Sequence, residues 1–198
     1  MIRDFHLADF FTLGNAGCGA AAIFCAIAYV REASPAKVHA AGALILCALV
    51  CDVLDGRVAR FRHQASPLGR ELDSLADAVS FGVAPASLAY ALGLDGLWDT
   101  LALLFFVACG ISRLARYNVT ADALSAATGK VTYFEGTPIT FSLLLVLVLD
   151  VLVRMDRVGA AFPGGVMSIG PYRLHPLSLL FVLSGSLMIS KTLHIPKP

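Results

Sequence analysis

Four aspartates stand in otherwise apolar surroundings: Asp52 and Asp55 in one hydrophobic stretch, Asp73 and Asp77 in the next. Asp52, Asp55, Gly56 and Ala59 fall at i, i+3, i+4 and i+7 of a helical repeat and share one face, and Gly69, Asp73, Asp77 and Ser80 share a face of the following segment. Carboxylates brought face to face repel one another and take up protons unless cations sit between them. An all-oxygen donor set suits hard divalent ions, Mg²⁺ or Mn²⁺, and two such ions neutralise four aspartates. Paired ions of this kind stabilise both the attacking and the leaving oxygen in displacements at phosphorus. Gly56, Ala59 and Gly69 add clearance on the same faces, so a bulky ligand can approach the backbone. The competing reading is that the acids pair with Arg57, Arg60, Arg62 and Arg70 to hold helices together, but ion pairing does not call for small residues at matching turns.

The elements that must carry these residues are membrane helices. The chain has 198 residues, 58% hydrophobic and 15% charged, with a mean hydropathy of +0.77. Soluble domains carry about 25% charged and roughly 45–50% apolar residues, so water is excluded as the only solvent. A net charge of +1 leaves no basic surplus for a phosphate backbone, which argues against nucleic acid as a partner. Six apolar runs, near 12–31, 37–59, 67–92, 97–117, 137–153 and 173–193, approach the about 20 residues that cross a bilayer as helix. The expectation is an all-α integral membrane fold of six transmembrane helices forming a single domain over 1–198. Interleaved apolar and charged residues in Met1–Phe11 predict a short N-terminal interfacial helix. Ser66-Pro67 reads as an N-cap and first helical residue, setting Asp73 about 9 Å into its span, near the level of lipid phosphates. With both termini inside, ten Lys and Arg residues fall on the inner side and five on the outer. An aspartate at a helix centre costs roughly 2.5–3.5 kcal/mol on the lower scale, and function is the default explanation. Cys18, Cys25, Cys47, Cys51 and Cys109 show no CxxC spacing and read as small hydrophobes. The histidines show no metal-ligand spacing. An ion-coupled transporter is the rival class, but neither paired broken helices nor an internal repeat is visible.

The pattern Asp52-x2-Asp55-Gly56-x2-Ala59-Arg60-x8-Gly69-x3-Asp73-x3-Asp77 resembles the signature of the CDP-alcohol phosphotransferase family, with eight positions matched over 26 residues. That resemblance implies a six-span enzyme, often dimeric, that moves a phosphatidyl-type group from a CDP-linked donor to an alcohol. It implies two divalent cations on Asp52, Asp55, Asp73 and Asp77, Asp77 as the base, and Gly56, Ala59, Arg60 and Gly69 lining the site for the CDP moiety. Three further stretches, Leu72–Pro85, Arg113–Asn118 and Phe134–Pro138, resemble the serine-accepting branch of the family, which uses CDP-diacylglycerol as donor. Choline, inositol phosphate and glycerol phosphate are the alternative acceptors within the family. A serine carboxylate requires a cation or a helix N-terminus. Arg113 and Arg116 end the fourth span, one or both able to meet that carboxylate in bidentate fashion or else to anchor the inner side. Thr137-Pro138 reads as the start of the fifth span, whose N–H groups favour an anion, and Glu135 is a candidate for the ammonium or a plain loop acid. The expected setting is the cytoplasmic membrane, with the site facing the cytoplasm and a homodimer as the assembly.

Overall fold

A computed structural model describes residues 7–61, 67–127, 133–190 and 194–196. The chain begins with a helical hairpin, α1 (Leu7–Glu32) and α2 (Pro35–Phe61). At the turn, Ala33 takes a left-handed conformation (φ 48°), its N–H donates to the Tyr29 carbonyl at 2.8 Å, and Pro35 opens α2. The facing surfaces keep a spacing of three and four. Asp9, Thr12, Asn15, Gly19, Ala22 and Ala26 are buried on α1, answered on α2 by Val38, Ala41, Ile45, Ala48 and Asp55, with Asp52 half-buried in the same row. The opposite faces expose Phe10, Phe24, Ile27 and Val30 on α1 and Leu46, Val50 and Val53 on α2, as a lipid solvent permits.

The third rod is α3 (Pro67–Asp77), a π-helical turn (Ala78–Val83) and α4 (Ala84–Ala91) in unbroken succession. Pro85 accounts for the wide turn: it has no N–H to donate, and its ring crowds the Phe81 carbonyl four residues back, so the ladder opens just before it. Ala76, Asp77, Ser80, Phe81, Gly82, Ala84, Ala86, Leu88 and Ala89 are all buried, and the rod packs against α1, α2, α6 and the 31-residue α5 (Leu97–Ala127). It is the centre of the bundle. After α5 comes β1 (Tyr133–Glu135), then a 3₁₀ turn (Ile139–Phe141) leading into α6 (Ser142–Arg154), which lies on α2. A hairpin of β2 (Met167–Ile169) and β3 (Tyr172–Leu174) precedes α7 (Ser178–Ile189), which packs on α5 with Phe181 edge-on to Phe106 at 5.3 Å. β4 (His194–Pro196) pairs antiparallel with β1.

Helical rods therefore lie within the six predicted runs, and among the described residues three helices, Asp9–Glu32, Pro35–Val58 and Leu97–Val119, are long and apolar enough to cross a membrane. The molecule is a mostly helical membrane protein. The last run differs from expectation: Arg173 and Leu174 belong to β3, and α7 has only 12 residues. Pro176 cannot continue a helix ladder, and His175 is held elsewhere: its N–H donates to Asp99 Oδ1 at 2.8 Å and its Nδ1 lies 2.7 Å from Asp99 Oδ2. The expected interfacial helix is described only from Leu7 onward, where it is the first part of α1 and not a separate element. Residues 1–6 and the Ser66 cap lie outside the described residues.

Candidate active site

Helix alternation brings the start of α1, the end of α2, the start of the third rod and the distal part of α5 to one end of the bundle. Asp52 and Asp55 come from α2, Asp73 and Asp77 from α3. Asp52, Asp55 and Asp73 each offer a carboxylate oxygen, all within 4.8 Å of one another. Asp77 lies within electrostatic reach of the other three. Asp55 and Asp77 are buried, Asp52 and Asp73 half-buried. Asp73 Oδ1 is buried and accepts no hydrogen bond among the described residues. Such an orphaned anionic oxygen is costly inside a protein unless a cation meets it, so the donor set fits a divalent ion by chemistry as well as by spacing. Arg57, one of the possible ion-pair partners, is exposed and makes no salt bridge among the described residues.

Donors from α1, which the sequence reading did not single out, complete the cluster. Thr12 Oγ1 donates to Asp55 Oδ2, and Asn15 Nδ2 donates to Asp77 Oδ1 at 3.1 Å. The signal was present as Asp9, Thr12 and Asn15 at intervals of three in a helix otherwise apolar as far as Val30, polar residues on the buried stripe. Close approach of α1 to the π turn depends on Gly19, where a Cβ would run into Ser80 Oγ and lie 2.7 Å from Ser80 Cα. The Ser80 hydroxyl in turn donates to the Asn15 carbonyl at 2.9 Å.

Of the residues predicted to receive the nucleotide, Gly56 is half-buried and a Cβ there would meet nothing within 4 Å among the described residues. Gly69 is half-buried near the start of α3. The side chains of Ala59, Arg60 and Glu135 lie outside the described residues, as do Arg62 and His63. The two acceptor arginines separate. Arg113 is buried, within electrostatic reach of Asp77, and its Nε has no hydrogen-bond partner among the described residues. Arg116 instead reaches the end of α7, donating to the Ile189 carbonyl at 3.2 Å, where a cation complements a helix C-terminus. Thr137 departs from the N-cap reading: its N–H donates to the Leu187 carbonyl at 3.2 Å, and the following Pro138 makes no side-chain cap. Asn118, also unforeseen, donates to Ser74 Oγ at 3.0 Å and so ties α5 to the Asp73 helix.

The model for CDP-alcohol phosphatidyltransferases matches residues 5–174, and the chain belongs to that family of transferases. It is 44% identical over 201 residues to the CDP-diacylglycerol–serine O-phosphatidyltransferase of Saccharomyces cerevisiae, a match covering all of this chain and 73% of that protein. The Bacillus subtilis protein of that name is 35% identical over 141 residues, 70% of this chain and 72% of its own length. The Mycobacterium leprae protein of that name is 43% identical over 112 residues, 55% of this chain and 37% of its own length.

Proposed function

We propose that the chain transfers a phosphatidyl group from CDP-diacylglycerol to the hydroxyl of serine and releases CMP. The observation that carries the chemistry is the convergence of Asp52, Asp55 and Asp73, with an unpartnered Asp73 oxygen, on the family signature; the naming of the relatives for a serine acceptor supports the choice of alcohol. Asp52, Asp55, Asp73 and Asp77 would hold two divalent cations, Mg²⁺ or Mn²⁺, which when bound supply charge neutralisation for the pyrophosphate and the departing oxygen. The protein's own groups do the rest. Asp77 accepts the proton of the serine hydroxyl as it attacks phosphorus in line with the leaving CMP. Arg113 meets the serine carboxylate, since its Nε lacks a partner among the described residues. Gly56, Ala59, Arg60 and Gly69 are assigned to the CDP moiety, and Glu135 is assigned to the ammonium.

In this reading all six rods span the bilayer, with the termini and the site on the cytoplasmic side, and two copies form the working unit. Lipid and nucleotide then meet at the depth of the inner headgroups. The test is CMP release from CDP-diacylglycerol in vesicles, with serine, ethanolamine, choline, inositol phosphate and glycerol phosphate as competing acceptors. Serine is expected to dominate. Ethanolamine, which lacks only the carboxylate, overturns the acceptor assignment if it competes equally, while CMP release with any acceptor keeps the transfer chemistry.

A further inference from the structure

We infer that Thr12 and Asn15 of α1 are positioning residues that set the rotation of two ligand carboxylates brought by two different helices. The inference rests on the two-ion reading and deepens it. The two residues are three apart on one face of α1, 3% and 0% exposed, and each donates to a site carboxylate: Thr12 to Asp55 Oδ2 of α2, Asn15 to Asp77 Oδ1 of α3. An aspartate carboxylate is a broad two-fold rotor, so its torsion is weakly held by sterics alone. A donor on one oxygen fixes that rotor and leaves the second oxygen for a ligand. Asn15 is itself held from behind by the Ser80 hydroxyl on its carbonyl and by the close approach of Gly19 to Ser80. The spacing between α2 and α3 at the site is therefore referred to a third helix that carries none of the four aspartates. Hydrogen-bond partners of metal-ligating groups affect metal affinity or activity by about 10–100-fold when removed.

The experiment uses the full chain in detergent, with Mn²⁺ binding followed by electron paramagnetic resonance alongside kcat, the KM for each substrate and thermal melting. Thr12→Val and Asn15→Leu are expected to weaken Mn²⁺ binding by about tenfold or more and to lower kcat, with the KM for serine changed less than about twofold. Thr12→Ser, which keeps the hydroxyl, is expected to restore Mn²⁺ affinity. A role confined to holding helices together predicts a lower melting temperature with Mn²⁺ affinity unchanged in the folded protein, and that result overturns the inference while leaving the proposed function intact, provided Asp73→Asn loses the ion. Absence of Mn²⁺ binding in the unaltered protein removes the two-ion reading and this inference together.

Discussion

At the scale of single residues, the unpartnered oxygen of Asp73 marks the side chain with most to lose. Asp73→Asn removes the negative charge of that ligand, and turnover is expected to vanish while the protein still inserts in the membrane; a wild-type rate would refute the ligand assignment. Asp77→Asn removes the proposed base, a role worth about 10²–10⁴ in rate. A loss below about tenfold would mean that water takes the proton. The two arginines provide a sharper contrast, because one is buried within electrostatic reach of Asp77 and the other caps α7. Arg113→Lys is expected to raise the KM for serine far more than that for CDP-diacylglycerol, since an ammonium cannot reproduce the planar fork. Arg116→Lys is expected to leave both constants nearly unchanged, and equal effects at the two positions would place the carboxylate between them.

Between elements, the decisive meeting is that of α1 with the π turn. Gly19→Ala places a methyl group against Ser80 Oγ and also against Ser80 Cα, and a backbone atom cannot rotate away. Overpacking of this kind costs about 1–3 kcal/mol, to be read as a lower melting temperature, with a fall in kcat as Asn15 is drawn off Asp77. Adding Ser80→Ala should not rescue it, because the backbone of the π turn still stands 2.7 Å from the added methyl. The opposite end of the bundle has its own tie. Asp99 at the head of α5 is 0% exposed and His175 before α7 is 2% exposed. His175→Ala removes the imidazole from buried Asp99 Oδ2 while Oδ1 keeps the backbone N–H of residue 175, a loss of about 1–3 kcal/mol. Melting of the variant in detergent checks the magnitude, and the folded fraction should keep its KM for both substrates because the pair is remote from the aspartates.

Over the whole molecule, stability and activity should separate on metal removal. Apolar packing around Phe81, Leu88, Phe106 and Phe181 builds the core between the helices, and none of the four site carboxylates belongs to it. Excess chelator is expected to abolish CMP release, with helical circular dichroism unaltered and activity restored by added Mn²⁺ or Mg²⁺. Full turnover in chelator would remove the ions from the mechanism. The bundle exposes large apolar residues along α1, α2, α5, α6 and α7, whereas the third rod leaves no residue exposed from Ala76 to Ala89. Asp77 thus sits at the entry to the most enclosed stretch of the chain, while Asp52 and Asp55 ride on a helix that faces lipid with its other side.

Much of this protein is written in local pattern. Long apolar runs broken by polar turns are sufficient for helices, because a bilayer leaves an open chain no other way to satisfy the backbone. The i, i+3 and i, i+4 spacing of Asp52, Asp55, Asp73 and Asp77 assigned each pair to one face before any packing was known. Local pattern could not say which distant groups would meet those faces. Thr12 lies 43 positions from Asp55 and Asn15 lies 62 from Asp77, and nothing in either segment names the other. Arg113 and Arg116 look equivalent along the chain, yet one turns into the site and the other to the end of α7, because the crossing of α5 and α7 decides which face is covered. His39 of α2 beside Asp150 of α6, and His175 before α7 beside Asp99 of α5, likewise pair between elements far apart in sequence. Helix identity follows from short-range periodicity and solvent, while the partners of a buried polar group depend on how helices far apart in sequence pack, and that is a property of the folded bundle alone.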